Sequence, residues 1–259
     1  MPLNVVVSGA TGRMGGTLHR LIQEDPGLEW IGGIDRDEAR AGFPRVVGVD
    51  RAADLLAEAD VLIDFSAPAF LSSVLEQQRS VLSGTALLVG TTGLGEAEQR
   101  LLEEASATSP VLVAANFSVA VNLLLVLAEQ AARVLGDEYD VEIVEAHHRR
   151  KEDAPSGTAL ALGEAVAAGR RVDLSAVRRD GRSGRPGARP VGEIGFHAVR
   201  GGDVVGEHDV MFIGEMDRLT LSHHAADRSL FAAGALRAAG WLAGQAPGRY
   251  TMRDVLGLR

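Results

Sequence analysis

The stretch "VVVSGATGRMGGTLHRLI", Val5 to Ile22, decides the fold. An apolar strand-like run gives way to glycines at positions 9, 12 and 15 and then to an amphipathic stretch over 12–25. A helix that starts directly after a strand presents unpaired N–H groups and a positive dipole end, a natural seat for a pyrophosphate. Glycine suits such a turn because a Cβ would hold the backbone off the phosphate and crowd the helix against the strand. The spacing is GxxGxxG rather than the stricter GxGxxG, so context has to carry part of the weight. A second strand-like run, "LEWIGGID" (28–35), supplies it by ending in Asp35, where a carboxylate can accept a hydrogen bond from an adenosine ribose hydroxyl. Arg36 follows, and a cation there either stacks on adenine or pairs with a 2′-phosphate, or is simply solvated at a strand end. The cofactor reading is therefore NADH, NADPH or both.

The same alternation continues. Runs at 60–66, 85–91 and 110–116 are continuous and Val/Ile/Leu-rich, as expected of strands covered on both faces. Helical patterns at 68–80 and 95–106 separate them, which implies a parallel, right-handed βαβ sheet of the Rossmann-type, doubly wound α/β class. The strand ends "GTTG" (90–93) and "AANF" (114–117) fall where such a sheet lines its cofactor crevice, and suit a nicotinamide ribose and carboxamide. After about residue 120 the pattern changes. A mostly buried helix (119–136) leads to the strand "YDVEIVEAHH", and another helix begins near Gly157. The Arg/Gly-rich segment "RDGRSGRPGARPVG" (179–192) reads as a surface loop. Three runs, 193–200, 204–213 and 216–224, alternate like antiparallel strands with turn signals "RGGD" and "GEMD" between them. The expected organisation is a dinucleotide-binding domain over 1–118 and an α+β substrate and oligomerisation domain with an open mixed sheet over 119–227. The C-terminal helices, 228–259, are expected to pack back on the first domain.

Composition narrows the function classes. With 46% hydrophobic and 24% charged residues in 259, the chain has the balance of a folded protein with a proper core. A net charge of -9 and 4% aromatic content disfavour nucleic-acid binding. There is no cysteine, which removes disulfides, thiolate metal sites and thiol nucleophiles and fits a reducing cytoplasm. The N-terminus lacks the features of a signal peptide, and no uninterrupted apolar run reaches the roughly 18–20 residues of a membrane span. The expectation is a cytoplasmic protein with neither a membrane nor a nucleic-acid partner.

The chemistry concentrates in "EAHHRRKEDAPSGTA" (145–159). His147 and His148 sit at a strand end, where successive side chains point in opposite directions, so the two rings serve different neighbours. Adjacent strand histidines seldom chelate one ion and no HExxH is present, so no metal is expected. Of 26 basic residues 25 are arginine, and Lys151 is the single lysine. A compact ammonium can shift its pKa on burial and donate a proton, which guanidinium effectively cannot. Ser156 suits an N-cap, with Gly157 and Thr158 exposing first-turn N–H groups. With Lys151 and one histidine, these make a positive pocket fit for a small dicarboxylate. Arg149 and Arg150 read as a solvated basic face, and His19 and His197 as packing or surface residues. No role is assigned to His208, His223 or His224; Arg228 and Phe231 open the last helix and are candidates for the nicotinamide end.

The motifs "GATGRMG", "DFSAP", "GTTG", "AANFSVAVNLL", "EAHHRRKEDAPSGTA", "GEIGFHAVRGGDVVGEHDVMF" and "MRDVL", in this order, resemble the 4-hydroxy-tetrahydrodipicolinate reductase (dihydrodipicolinate reductase) family of diaminopimelate and lysine biosynthesis over essentially the whole chain. The resemblance implies an NAD(P)H-dependent reduction of a cyclic dicarboxylate with loss of water, by a homotetramer. His147 corresponds to the catalytic proton donor and Lys151 to a second donor and charge stabiliser, with His148, Ser156, Gly157 and Thr158 at substrate-binding positions. Gly9, Ala10, Thr11, Gly12, Arg13 and Met14, then Asp35 and Arg36, Gly90, Thr91 and Thr92, and Ala114, Ala115, Asn116 and Phe117 match cofactor contacts. Thr11 departs from the family's usual residue, and the short segment 36–59 leaves cofactor preference open. The rival readings are another Rossmann-type amino-acid or semialdehyde dehydrogenase and an inert dinucleotide sensor; neither explains why His147, Lys151 and the Ser-Gly-Thr cap cluster.

Overall fold

Strands that must hide both faces and helices that must hide one can satisfy each other only in layers. In the computed structural model, which describes residues 1–36 and 43–258, this produces two compact units, Met1–Ser118 with Ser229–Arg259, and Val119–Arg228. The first runs β1 (Leu3–Ser8), α1 (Arg13–Glu24), β2 (Leu28–Ile34), β3 (Val46–Val47), α2 (Ala53–Ala57), β4 (Val61–Asp64), α3 (Pro68–Gln77), β5 (Ala86–Val89), α4 (Glu96–Ser106) and β6 (Pro110–Val113). The second contains α5 (Val119–Leu135), β7 (Asp140–His147), α6 (Gly157–Arg170), α7 (Leu174–Val177), β8 (Arg178–Asp180), β9 (Ile194–Arg200), β10 (Gly206–Ile213) and β11 (Arg218–Ala225). The chain then returns to the first unit with α8 (Ser229–Leu242), β12 (Gly248–Tyr250) and α9 (Met252–Leu256).

The first unit's sheet has the order β12-β6-β5-β4-β1-β2-β3, with every pairing parallel. Residues alternate between two cores with the period of a strand. Val5, Val7, Ile63, Leu88 and Leu112 pack against α1 and α8, while Val6, Leu62, Leu87 and Val111 pack against α3 and α4. Truncating one such buried Leu to Ala costs about 2–5 kcal/mol. The edge strands β3 and β12 have only two and three residues, too short to carry a periodic signal in sequence. Residues 37–42, part of the segment 36–59 on which cofactor preference turns, lie outside the described residues.

The second sheet is mixed, in the order β11-β10-β7-β9-β8. Its inner face, with Val141, Ile143, Ile194, Phe196, Val210 and Phe212, packs on α5 and α6 through Leu124, Ala128, Leu162 and Val166. The expected run of three antiparallel strands is corrected here. "GEMD" closes a hairpin between β10 and β11, but "RGGD" does not join neighbours. β7, made earlier in the chain, takes the centre, with β9 parallel on one side and β10 antiparallel on the other. The "RGGD" segment therefore crosses over the end of β7, where Gly201 N–H donates to the His147 carbonyl (3.0 Å).

Two further expectations change. The helix over 119–136 is not mostly buried: 28% of its apolar window is, and Leu123, Leu127 and Val134 face outward. By length and composition this is the one segment among the described residues able to cross a membrane, yet its Leu124, Ala128 and Ala132 form part of the second core. The Arg/Gly-rich loop is more than a solvated connection. Arg189 donates to Glu142 (3.0 Å) and to the carbonyls of Val141 and Glu193, and Arg182 pairs with Glu142 at 2.9 Å. His197 Nε2 reaches the other Glu142 oxygen at 2.7 Å, so it has a polar partner rather than a packing role alone. Burial pushes the Glu142 carboxyl up, but hydrogen bonds from Arg182, His197 and Arg189 outweigh it and hold it below the usual carboxylate range.

The docking of α8 depends on one glycine. A Cβ on Gly234 would lie 1.9 Å from the Phe117 carbonyl oxygen, so α8 can reach the sheet only without it. We expect Gly234→Ala to destabilise the first unit by about 1–3 kcal/mol through overpacking. The chain's two tryptophans, Trp30 and Trp241, both lie in that unit, so urea unfolding followed by tryptophan fluorescence reads the effect.

Candidate functional site

At the carboxyl ends of the first unit's strands, the glycine turn is built by close backbone approach. Gly9 has φ +75°, and a Cβ there would lie 2.6 Å from the Phe65 carbonyl oxygen; on Gly15 it would lie 2.2 Å from the Ala10 carbonyl oxygen. Gly12 is the N-cap of α1 and has no capping side chain, which leaves the helix start accessible to an anion. Thr11 has a definite task. Its N–H and Oγ1 both donate to Asp35 Oδ2 (2.9 and 2.8 Å), tying the glycine turn to the end of β2. Asp35 Oδ1 accepts from Arg36 N–H at 2.7 Å.

A cavity of about 240 Å³ opens beside these groups, lined by Gly9, Thr11, Gly12, Asp35 and Arg36 together with Phe65, Ser66, Ala67 and Phe70. The last four come from the segment after β4; they carried no assignment in sequence, although "DFSAP" lies at the end of the strand next to β1. Below the cavity lies Asp64, 1% exposed, which accepts from Ser66 Oγ (2.8 Å) and from Thr91 Oγ1. Burial pushes this carboxyl up, and the hydrogen bonds from Thr91 and Ser66 oppose the rise. Gly90 makes room for Phe65, whose ring a Cβ would meet at 2.1 Å, and Phe117 packs edge-on against that ring (5.7 Å).

The expected cofactor residues therefore divide. Gly9, Thr11, Gly12, Asp35 and Arg36 line the cavity. Gly90 and Phe117 pack on the lining residue Phe65, Thr91 Oγ1 accepts from the Ser66 N–H and Ala10 is buried, while Arg13 and Met14 open α1. Thr92 is exposed beyond β5, and Ala114, Ala115 and Asn116 follow β6. An uncapped helix start, close-packed glycines and a strand-end carboxylate together fit a dinucleotide.

In the second unit β7 delivers Glu145 and His147 to one face, because residues two apart in a strand point the same way. His147 Nδ1 meets Glu145 Oε2 at 2.6 Å. Glu145, 1% exposed, also accepts a fork from Arg200 (2.7 and 2.7 Å) and the N–H of Ser156 (3.1 Å). Burial pushes the Glu145 carboxyl up, but Arg200 and His147 outweigh it and hold it below the carboxylate range. His148 turns elsewhere and accepts from Arg228 Nη2 at 2.8 Å. Desolvation, then the Arg228 and Arg150 charges, lower its pKa. The two rings thus have different neighbours. Arg228, a candidate for the nicotinamide end, has its guanidinium on His148.

Lys151 donates to both carboxylate oxygens of Asp153 (2.8 and 2.8 Å), with its side chain 19% exposed. Lys151, chiefly by its hydrogen bond, holds the Asp153 carboxyl below its ordinary pKa. Ser156 caps α6 by accepting from Ala159 N–H (3.1 Å), and its hydroxyl also meets His208 Nε2 at 2.9 Å. His208 is 4% exposed; burial above all, then the neighbouring His147, lowers its pKa to about 4, so it is neutral at physiological pH. No atom lies within 4 Å of where a Gly157 Cβ would sit, so the start of α6 is open there, with Thr158 next in the first turn. Arg150 pairs with the exposed Asp203 at 2.7 Å. His224 is exposed beside Glu207 (3.5 Å), and the His223 ring lies 6.4 Å from that of His208. Among the described residues no group of three or more His, Cys, Asp or Glu could hold a metal. Glu145 and Arg200 carry no assignment from the sequence, and His208 only a place near the cleft without a role. Glu145 had a legible sign, its position two before His147 on a strand; the other two reach the site only through sheet pairing.

Comparison with known proteins finds a match for both halves of the chain. The family model "Dihydrodipicolinate reductase, N-terminus" matches residues 3–117, and "Dihydrodipicolinate reductase, C-terminus" matches 120–256. The 4-hydroxy-tetrahydrodipicolinate reductase of Alkalilimnicola ehrlichii is 48% identical, covering 100% of both chains, and that of Parvibaculum lavamentivorans 46% identical, covering 99% of this chain and 98% of its own. A dipicolinate-bound dihydrodipicolinate reductase from Paenisporosarcina sp. TG-14 shares the fold, with TM-score 0.73 and 22% identity over 97% of this chain and 98% of that one. With both halves matched by one family's models and full-length relatives near half identity, the chain belongs to the dihydrodipicolinate reductase family.

Proposed function

We propose that this NAD(P)H-dependent oxidoreductase reduces 4-hydroxy-tetrahydrodipicolinate to tetrahydrodipicolinate with loss of water, and that His147 and Lys151 carry the proton chemistry. The observation that supports this most is the cluster at the end of β7, where the His147 imidazole, the chain's only lysine and the open start of α6 share one strand end and its following loop. The solved relative in dipicolinate-bound form supports a planar dicarboxylate as the ligand of such a cluster.

The bound dihydronicotinamide supplies a hydride. The chain's own residues supply the rest of the balance, in which the substrate gains one hydride and one proton and releases one water. His147 gives the proton to the carbon or nitrogen where negative charge develops. Lys151 stabilises that charge and, as the second donor, protonates the departing hydroxyl while the adjacent ring carbon gives up a proton, so net uptake stays at one proton; Asp153 holds its ammonium in place until an anion competes for it. His148, Ser156, Gly157 and Thr158 take the substrate carboxylates at the helix start. In the first unit, Gly9 to Met14 receive the pyrophosphate, and Asp35 with Arg36 the adenosine end. Asp35 is compatible with a free ribose 2′-hydroxyl and Arg36 with a 2′-phosphate, so both NADH and NADPH belong in the assay.

The same reading makes the enzyme a cytoplasmic homotetramer assembled through the second sheet. The exposed Val199, Ile213 and Leu219, and the unpaired edge of β11, support an assembly there.

Purified enzyme with the condensation product of the preceding reaction should oxidise NADH or NADPH, while aspartate should give no turnover; the reverse would favour an amino-acid dehydrogenase. His147→Gln should lower kcat by about 10²-fold or more, whereas His148→Gln should act mainly on substrate KM. Lys151→Arg keeps the charge but not the compact donor, and we expect it to lower kcat at least about tenfold; wild-type turnover would remove the lysine-specific role.

A further inference from the structure

The proton chemistry just described leaves Glu145 without a task, although it is among the most deeply buried charged groups in the chain. A carboxylate taken out of water is costly unless every lone pair is met. Here the donors come from three elements. Arg200 of β9 supplies the fork, Ser156 supplies the N–H at the start of α6, and His147 of β7 supplies its ring Nδ1. Arg200 also donates to the Asp153 carbonyl at 2.8 Å, so it binds the loop that carries Lys151 to the same carboxylate.

The contact at 2.6 Å is short and joins a carboxylate to a ring nitrogen, so Nδ1 carries the hydrogen. Proton exchange with anything else then falls to Nε2. Room for that atom is kept by Gly206, where a Cβ would stand 3.1 Å away. The groups around the ring are Glu145 on its own strand, Arg200 on β9, His208 edge-on at 5.2 Å on β10 and His223 beyond it on β11, with Lys151, Asp153 and His148 in the adjoining loop. Of these, Glu145 is the anion in direct contact with His147.

We propose that Glu145 is a positioning residue for the reduction: it holds His147 as the Nδ1–H tautomer with Nε2 free, and through the Ser156 N–H it fixes that ring relative to the anion-binding start of α6. This rests on His147 as the acid. The ion pair with Arg200 keeps Glu145 an acceptor, and removing its charge takes the counter-ion away from a protonated His147.

The test compares full-length wild type, Glu145→Gln, His147→Gln and the double variant. Glu145→Gln keeps the shape and should lower kcat at least about tenfold, by the logic of a carboxylate that orients a catalytic imidazole. Its KM for the nicotinamide cofactor should stay as in wild type. The descending limb of its kcat–pH profile should move to lower pH, because the imidazolium has lost its anion. The double variant should be no slower than His147→Gln alone. In wild type, ¹⁵N NMR of the His147 ring should show the neutral form protonated at Nδ1, a reading that does not need any variant to fold. An Nε2–H tautomer there, or a folded Glu145→Gln with wild-type kcat and pH limb, overturns the positioning role. An inactive His147→Gln alongside such a Glu145→Gln overturns it while leaving the acid intact. Wild-type turnover by His147→Gln removes the acid assignment and the positioning role together.

Discussion

A carboxylate buried in the middle of a strand has to be met by donors from elsewhere in the chain, and β7 carries two. Glu142 and Glu145 are three residues apart and so point to opposite faces of the sheet. Glu142 draws Arg182 and Arg189 down from the loop and His197 across from β9. Glu145 draws Arg200, the Ser156 N–H and His147. Each partner set ties in a further segment: the arginine-rich loop on one face, the lysine loop and the start of α6 on the other. Leaving either carboxylate unpaired would cost about 3–5 kcal/mol, comparable with losing a large core side chain. The second unit is thus tied together from a central strand outward by charge as well as by apolar burial.

What was legible in sequence was local. The glycine turn, the alternation of continuous apolar runs with helices, the Ser156 cap and the opposed directions of His147 and His148 each follow from a few neighbouring residues, and each has its counterpart in the geometry. What was not legible was pairing over long separations. Arg200 meets Glu145 from 55 residues away, and His208 meets Ser156 from 52; no period or motif announces either. The order of β9 and β10 failed for the same reason, since an earlier strand had claimed the place between them. The outward side of α5 was misread because apolar composition states how much a helix can bury, not how much it does.

The glycines separate into two kinds that look alike on paper. Gly9, Gly15, Gly90 and Gly234 are packed so closely that a methyl group would collide with backbone or ring atoms. They are demanded by the fold before any ligand arrives. Gly157 has open space where a Cβ would be, so packing does not demand it. A glycine that packing does not require, at the first position of a helix, leaves that helix start open to a close approach from outside.

The central position of β7 also constrains how the chain can be made. Its two neighbours, β9 and β10, begin at Ile194 and Gly206, so a growing chain presents β7 with both edges bare until some fifty further residues have been added. The first unit waits longer still, because α8, which covers one face of its sheet, follows the entire second unit. The first unit is therefore incomplete in any N-terminal fragment that stops before α8, whereas the second is complete by Arg228. Vectorial synthesis, which lets many proteins finish one domain before starting the next, offers this one little head start.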